Sequence, residues 1–206
     1  MSGKPDAVRI RTARPYDAAA LLDLKHQLDT ESAFMMFEPG ERDSSVQGLA
    51  RELAAVVRSP NSVILLAELG DQLVGYLELT GGSFRRSRAT AYLVIGVRAD
   101  AAGCGIGTGL LLHAKDWAAA HGLHRLELTV MARNTRAVRL YERMGFSVEG
   151  RRSECLLVDG QFVDELTMAL ILPAPPDPAF PRFSRARRAS HLRRSFWVER
   201  VKESRL

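Results

Sequence analysis

The sequence predicts an α/β fold in which helices flank a mixed, largely antiparallel central sheet. Strand-like and helix-like stretches follow one another roughly in the order β-α-α-β-β-β-α-β-α-β-β. The dipeptides Gly70-Asp71 and Asp159-Gly160 predict two hairpin turns. Five prolines between positions 173 and 181 exclude both a helix interior and a central strand. We therefore expect a single folded domain over residues 1–172 and a separate C-terminal extension over residues 173–206.

The first part of the chain predicts one strand and two helices. Ala7–Thr12 alternates apolar and basic residues, as a half-buried strand does. Pro15 suits the first turn of the helix that follows, and Ser44 or Ser45 can cap a second helix. Apolar residues recur at helical spacing in both, as Ala18, Leu21, Leu22, Leu24 and Leu28 in the first helix and Val46, Leu49, Leu53, Val56 and Val57 in the second.

The middle of the chain predicts a hairpin, a central strand and a third helix. Val63–Glu68 and Leu73–Thr80 are the two hairpin strands. Thr90–Val97 is β-rich and mostly apolar, which is typical of a strand at the centre of a sheet. A glycine-rich segment follows it directly, and a helix with a regular apolar side then continues to Gly122.

The last part of the domain predicts three strands and one short helix. Leu126–Val130 alternates as a strand. Asn134 can cap a short helix that Gly145 closes. Two further strands follow, one after Phe146 and one over Phe162–Ile171.

Charge is concentrated at the C-terminal end of the chain. The formal net charge is +5, but residues 173–206 hold nine Lys or Arg against three acidic residues, which leaves residues 1–172 at −1. The basic character therefore belongs to the extension and indicates little about the domain. Three interpretations of the extension stay open: a chain without a fixed partner, a segment that docks on the domain or a neighbour, and a contact with nucleic acid.

Composition also predicts the compartment. No apolar stretch approaches the ~18 residues that a membrane span needs, and the N-terminus lacks the apolar region of a signal peptide. The two cysteines, Cys104 and Cys155, are too few for a disulfide scaffold, and they lack the spacing of metal ligands. We therefore expect a cytoplasmic protein without a metal site, and the sequence leaves a homodimer open.

Four glycines fall within seven residues, directly between a predicted strand and a predicted helix. They are Gly103, Gly105, Gly107 and Gly109. Glycine permits tight turns and close approach of a ligand, and the free N–H groups at a helix start attract an anion, above all a phosphate. The spacing fits neither the G-x-G-x-x-G dinucleotide fingerprint nor the P-loop. The segment therefore predicts a phosphate-binding loop of another type.

This loop resembles the acyl-CoA loop of the GNAT N-acetyltransferase superfamily, whose pattern is Arg/Gln-x-x-Gly-x-Gly/Ala. It runs from Ala102 to Gly107, so Ala102 stands where the family usually has Arg or Gln. A second stretch, from Asn134 to Phe146, resembles the family motif Asn-x-x-Ala-x-x-Leu-Tyr-x-x-x-Gly-Phe. The surrounding segments resemble the subgroup of bacterial L-amino-acid and ribosomal-protein-type N-acetyltransferases. The resemblance covers about residues 7–172 and implies a GNAT-type fold.

The resemblance implies acetyl-CoA as co-substrate and a set of residues that bind it. The loop is expected to hold the pyrophosphate, largely through backbone amides, and the strand from Ile95 to Val97 to pair with the pantetheine arm. The expected cofactor-binding residues are Ile95, Val97, Ala102, Gly103, Cys104, Gly105, Ile106, Gly107, Thr108, Asn134 and Tyr141.

Tyr141 is the candidate acid for acetyl transfer. A phenol with a pKa of ~10 stays protonated at neutral pH and can donate to a departing thiolate, and the resemblance assigns the acid to this motif position. A backbone N–H near Val97 would stabilise the oxygen that gains negative charge. Tyr141 also has a purely structural interpretation, as a side chain that packs the short helix onto the sheet.

The residue that takes the proton from the amine is left open. Some relatives carry a catalytic Glu five residues before the motif Asn, where this chain has Thr129. Strand alternation places Glu127 on the same side as Thr129, so Glu127 is one candidate for this catalytic carboxylate. Glu78 and the loop residues Glu38 and Glu41 remain alternative candidates.

These observations predict an N-acetyltransferase that moves an acetyl group from acetyl-CoA to a primary amine by direct attack. The acceptor would be an amino acid, a small amine or a protein N-terminus, and Glu31–Arg42 is expected to form part of its pocket. A non-catalytic acyl-CoA-binding or regulatory module on the same fold is the alternative, because Ala102 departs from the family pattern and no base is identified.

Overall fold

The computed structural model describes residues 7–173. The predicted element order is confirmed there, with two short 3₁₀ helices added at Pro15–Asp17 and Ala99–Ala101. The strands and α-helices are β1 (Arg9–Thr12), α1 (Ala18–Glu31), α2 (Val46–Val57), β2 (Val63–Leu69), β3 (Gln72–Gly81), β4 (Thr90–Val97), α3 (Ile106–Ala120), β5 (Arg125–Met131), α4 (Thr135–Arg143), β6 (Ser147–Val158) and β7 (Gln161–Ile171). The predictions about the C-terminal extension concern residues 173–206. Apart from residue 173, these lie outside the part of the chain that the structure describes.

All seven strands of the described residues form one sheet in the order β1-β2-β3-β4-β5-β7-β6. Each neighbouring pair is antiparallel except β4 and β5, which run parallel. The mixed, largely antiparallel sheet is therefore confirmed. The predicted central strand, β4, lies at the middle of the sheet, next to its parallel neighbour.

The two parallel strands separate soon after they meet. Their register comprises Thr90 with Arg125, Ala91 with Leu126, and Tyr92 with Glu127. Beyond Tyr92, the remainder of β4 pairs only with β3, and the remainder of β5 pairs only with β7. A wedge-shaped gap thus opens between the C-terminal halves of β4 and β5, and we call it the splay.

Alternation along the strands divides the apolar residues between two cores. One core lies between the sheet and helices α3 and α4, and the other lies beneath α1 and α2. Leu93 on β4 belongs to the first core, and Tyr76 on β3 belongs to the second. Because a fully buried Leu or Phe contributes roughly 1.5–3 kcal/mol, these two layers stabilise the sheet on both of its faces.

The predicted helix caps lie where the sequence indicates. Ser45 rather than Ser44 caps α2, accepting the Gly48 N–H at 3.0 Å. The Asn134 Oδ1 accepts the Ala137 N–H at 3.2 Å and so starts α4 directly after β5. Among residues 7–173, none of the helices has the length and apolar character needed to cross a membrane.

Candidate active site

The splay leaves one edge of β4 without a neighbouring strand. At the end of β4, the Arg98 N–H donates to the Val74 carbonyl at 2.9 Å, so even-numbered residues here point their backbone groups toward β3. Because alternate residues point in opposite directions, the backbone N–H and C=O groups of Ile95 and Val97 face the splay. Over this stretch β5 supplies no registered partner for them. This edge can accept an extended ligand through main-chain hydrogen bonds.

The glycine-rich loop lies between the end of β4 and the start of α3. Gly103 and Gly105 have φ values of +95° and +81°, in the left-handed region that favours glycine. Gly105 occupies the N-cap of α3, and no side chain caps the first N–H groups of that helix. Those N–H groups and the positive end of the helix dipole fit a phosphate group.

Helix α4 packs closely against the start of α3. A Cβ atom at Gly107 would lie 3.1 Å from Leu140 Cδ2 and 4.0 Å from Ile95 Cδ1. A side chain at this position would require Leu140 to shift by a few tenths of an ångström. On the other side of α3, a Cβ at Gly109 would lie 3.0 Å from Ile10 Cδ1. Strand β4, the glycine loop and α4 therefore meet around Gly107.

Tyr141 projects from α4 into the protein interior. Only 7% of the residue is exposed, and its ring lies 5.8 Å from that of Phe146, centroid to centroid. Burial raises the pKa of the Tyr141 phenol above its ordinary value, and the neighbouring Tyr92 raises it further. Among the described residues the Tyr141 hydroxyl has no hydrogen-bond partner. The phenol therefore remains a protonated donor at neutral pH.

Tyr92 and Thr129 join the two strands at the narrow end of the splay. The Tyr92 hydroxyl lies 2.8 Å from Thr129 Oγ1 and also accepts the Thr129 N–H at 3.3 Å. Sequence reasoning considered Thr129 only as a replacement for a family Glu and missed Tyr92 altogether. The only available signal for Tyr92 was an aromatic residue in the middle of an otherwise apolar strand.

The face of the sheet that carries Tyr92 is open at the centre. Val94 on β4 is 37% exposed, although it lies on a central strand. Glu78 on β3 lies beside it in register, with 30% of its side chain exposed. The Glu78 carboxylate pairs with Lys25 at 3.4 Å and accepts a hydrogen bond from the Thr80 hydroxyl at 3.3 Å.

Glu127 lies on the same open face, directly opposite Tyr92 in register. Its carboxylate accepts a hydrogen bond from Arg125 Nε at 2.8 Å, and 22% of its side chain is exposed. Arg125 also binds Glu149 on β6, and this second contact is the larger cause of the raised pKa of Arg125. Glu127 is thus held by an arginine that it shares with another carboxylate.

The segment between α1 and α2 is anchored to the helix that precedes it. Arg42 donates to the buried Asp29 carboxylate at 2.5 and 2.8 Å and stacks over the Phe37 ring at 4.5 Å. Glu38 and Glu41 lie exposed in the same segment, where the Glu41 carboxylate accepts the Glu38 N–H at 2.9 Å. The two acids therefore hold a turn of the loop at the surface.

The structure brings most of the predicted site residues into one region. Ile95 and Val97 lie on the edge of β4 that β5 leaves unpaired, the loop from Ala102 to Thr108 connects the end of β4 to α3, and Tyr141 lies on α4 near Tyr92. Cys104 is exposed in the loop as a free thiol. Among residues 7–173 there is no group of three or more His, Cys, Asp or Glu side chains that could hold a metal ion.

Comparisons with known proteins point to the same chemistry. The sequence matches the acetyltransferase (GNAT) family over residues 26–146. It is 32% identical, over 141 residues, to YhfO, an uncharacterized N-acetyltransferase of Bacillus subtilis, and the match covers 68% of this chain and 89% of that protein.

Solved structures give matching folds. A GNAT-family acetyltransferase of Streptococcus pneumoniae is 30% identical with a TM-score of 0.78, and the match covers 81% of this chain and 99% of that one. A ribosomal-protein-alanine N-acetyltransferase of Brucella melitensis is 26% identical with a TM-score of 0.70, covering 80% and 99%. The Salmonella typhimurium protein yncA, solved with its cofactor acetyl-CoA, has the same fold at 23% identity, with a TM-score of 0.73 and coverage of 84% and 99%.

The family match spans more than half of the chain, and the glycine loop and Tyr141 lie on the elements that follow β4 and β5, the two strands that separate. The chain belongs to the GNAT family of acetyltransferases and is an acetyl-CoA-dependent acetyltransferase.

Proposed function

We propose that this protein transfers the acetyl group of acetyl-CoA directly to a primary amine, with Tyr141 as the acid that protonates the leaving thiolate. The observation that carries the proposal is the state of the Tyr141 phenol. It is buried near Tyr92, its pKa is raised by burial, and its hydroxyl has no partner among the described residues. Such a phenol is protonated, and it can donate its proton when the CoA thiolate forms beside it.

Backbone groups do most of the binding in this proposal. Acetyl-CoA supplies an acetyl group activated as a thioester. The N–H groups at the start of α3 and in the glycine loop hold the pyrophosphate, because φ values of +95° and +81° at Gly103 and Gly105 shape the loop around that anion. The free edge of β4 at Ile95 and Val97 aligns the pantetheine arm, and the N–H of Val97 stabilises the thioester oxygen as it gains charge.

Asn134 contributes to the site mainly by fixing where helix α4 begins. Its Oδ1 is taken up by the Ala137 N–H, which fixes the first turn of α4. Its amide nitrogen remains available to donate toward the cofactor. In this proposal Asn134 positions Tyr141, which lies two helical turns further along the same helix.

The amine approaches from the open face and gives its proton to a carboxylate there. Glu127 lies opposite Tyr92 at the narrow end of the splay, whereas Glu78 lies one strand further away. Glu127 is therefore the proposed base, acting through a water molecule, and Glu78 is the alternative. Glu38 and Glu41 lie in the loop between α1 and α2, where they are better placed to contact the rest of the acceptor.

The acceptor classes in this proposal are amino acids, small amines and protein N-termini. The loop anchored by Arg42 and Asp29 lies near the open face, where Arg42 interacts electrostatically with Glu78, and it supplies part of the acceptor pocket. A peptide with an N-terminal alanine is one specific candidate, because the Brucella melitensis relative is a ribosomal-protein-alanine N-acetyltransferase.

The test is a thiol-release assay with acetyl-CoA and a panel of amines, run on the full chain and on Tyr141→Phe. The panel contains free amino acids, polyamines and peptides that begin with alanine. We expect amine-dependent release from the wild type, a kcat reduced about 10²- to 10⁴-fold in Tyr141→Phe, and equal CoA affinity in both. Tight CoA binding without amine-dependent release from any member of the panel would favour the non-catalytic module instead.

A further inference from the structure

We propose that Arg136 supplies the cationic contact to the CoA pyrophosphate that the residue at position 102 does not. The cofactor loop of this chain begins with Ala102, whose methyl side chain carries neither charge nor hydrogen-bond donor. The loop also contains no Lys or Arg of its own between positions 102 and 109. Any side-chain cation for the pyrophosphate must therefore come from another element.

Arg136 is the cation that the fold brings to this loop. Its Nη2 atom lies 3.6 Å from the position that a Cβ atom would take at Gly103, the residue directly after Ala102. That distance is ordinary van der Waals contact, so the guanidinium lies against the loop without displacing it. Helix α4 carries Arg136 in its first turn, and Leu140 of the same helix lies close beside Gly107 at the start of α3.

The Arg136 side chain is free for a ligand. It is exposed, and among the described residues no carboxylate pairs with it. By contrast, Arg125 and Arg42 are occupied by Glu149 and Asp29. A planar guanidinium can donate two parallel hydrogen bonds to a phosphate, which makes Arg better suited to this role than Lys.

The geometry assigns Arg136 to the same anion as the helix dipole. The uncapped N–H groups at the start of α3 follow Gly105, and the Arg136 guanidinium lies beside Gly103, two residues earlier in the same loop. Both groups are positive and both attract the negative diphosphate, whereas the uncharged pantetheine part of the cofactor gains nothing from either. Loss of Arg136 should therefore weaken binding only of ligands that carry the diphosphate.

The experiment measures affinity by calorimetry on the full chain, with CoA and dephospho-CoA as the probes. We expect Arg136→Ala to bind both ligands about 10- to 30-fold more weakly than the wild type, as loss of a charge-assisted hydrogen bond does. Arg136→Lys should lose less, because it keeps the charge without the planar fork. Arg139→Ala is the matched control: an exposed arginine three residues further along the same helix, expected to bind both ligands as the wild type does.

Turnover of S-acetylpantetheine supplies a probe that has no diphosphate. The kcat/KM for this substrate should be the same in Arg136→Ala and in the wild type. Unchanged CoA affinity in Arg136→Ala would overturn the proposal. An effect on CoA that is absent with dephospho-CoA would overturn it too, since the contact would then be with the 3′-phosphate. An equal loss with S-acetylpantetheine would also overturn it, because the effect of the substitution would then not depend on the diphosphate. Because the binding measurements need no acceptor, they are independent of the amine and of Tyr141.

Discussion

The hydroxyl of Tyr92 lies 2.8 Å from the hydroxyl of Thr129 and accepts the Thr129 N–H at 3.3 Å. This contact comes just past the last registered pair of β4 and β5, which is Tyr92 with Glu127. The side chain thus replaces the backbone acceptor that β4 no longer supplies to β5. It holds the two strands together at the narrow end of the splay while the edge at Ile95 and Val97 stays free.

The first prediction concerns this bridge. Tyr92→Phe should lower the free energy of unfolding by about 1–3 kcal/mol, because the Thr129 N–H loses its acceptor in a partly buried position. Denaturant unfolding measures the effect. Thr129→Val is the control, since it removes the Oγ1 partner but keeps the N–H donated to Tyr92, and it should cost less. Equal stability of Tyr92→Phe and the wild type would show that the bridge contributes nothing.

Local features of this site could be predicted from the sequence. The glycine loop is defined by residues within a few positions of one another, and the cap at Asn134 binds an N–H three residues away. Such features depend on backbone geometry that neighbouring residues determine. The order of helices and strands could be predicted for the same reason, because the spacing of apolar residues within each segment indicates whether it is a helix or a strand.

Long-range contacts could not be predicted in the same way. Tyr92 and Thr129 are 37 residues apart, and their contact depends on where two strands stop pairing. Arg136 occupies a variable position of the Asn-x-x-Ala motif, so the pattern gives no reason to single it out. Its place beside Gly103 follows from the packing of α4 on α3, which the amphipathic pattern of either helix leaves undetermined.

The second prediction separates backbone strain from ligand binding in the loop. Gly105 and Gly40 have φ values of +81° and +93°, and a Cβ atom at either position would meet nothing within 4 Å. Alanine at each should therefore cost a similar 1–2 kcal/mol of stability, about the price of left-handed backbone in a non-glycine residue. Only Gly105→Ala should also weaken CoA binding, because only that loop is proposed to hold the pyrophosphate. Equal CoA affinity in the two variants, measured by calorimetry, would argue against this assignment.

The third prediction distinguishes the two carboxylates of the open face. Glu127→Gln should lower kcat/KM for the amine about 10²-fold, since the amine loses its base. Glu78→Gln should lower kcat/KM by less than about threefold. If Glu78 is the base instead, Glu78→Gln should have the larger effect of the two. The two substitutions are isosteric and lie on one face of the sheet, so each serves as the control for the other. CoA affinity should stay unchanged in both, and an equal effect of the two on kcat/KM would contradict a single base.

The fourth prediction concerns stability in acid. Arg11 donates to both Asp17 and Glu68, each at 2.8 Å. The hydrogen bond from Arg11 lowers the pKa of Glu68 against the effect of burial. Burial by itself would raise the pKa of Asp17. The hydrogen bonds from Arg11 and from the Arg14 N–H outweigh that effect, so the pKa of Asp17 is lowered. Both carboxylates therefore stabilise the fold above their unfolded pKa values of about 4, and this contribution is lost as the pH falls further.

Removing Arg11 should reduce this pH dependence. The free energy of unfolding of Arg11→Met should be about 2 kcal/mol lower at neutral pH, and it should decline less steeply between about pH 5 and pH 2. Denaturant unfolding across that range measures both effects. Arg9→Met is the control, because Arg9 also binds Glu68 but its side chain is 72% exposed, so its effect should be smaller. Parallel curves for Arg11→Met and the wild type would rule out the linkage.

The last prediction concerns the acid itself. The rate should rise with pH as the amine loses its proton, since only the neutral amine attacks the thioester. An ordinary phenol would lose its proton near pH ~10 and cause the rate to fall there. Burial first, and Tyr92 second, raise the pKa of Tyr141, so kcat/KM should reach a plateau with no decline below about pH 10. Tyr141→Phe should keep the rising limb, which belongs to the amine, at a much lower rate. The profile is measured by thiol release, corrected for hydrolysis without enzyme. A falling limb centred below about pH 9 in the wild type would mean that a less buried group than Tyr141 donates the proton.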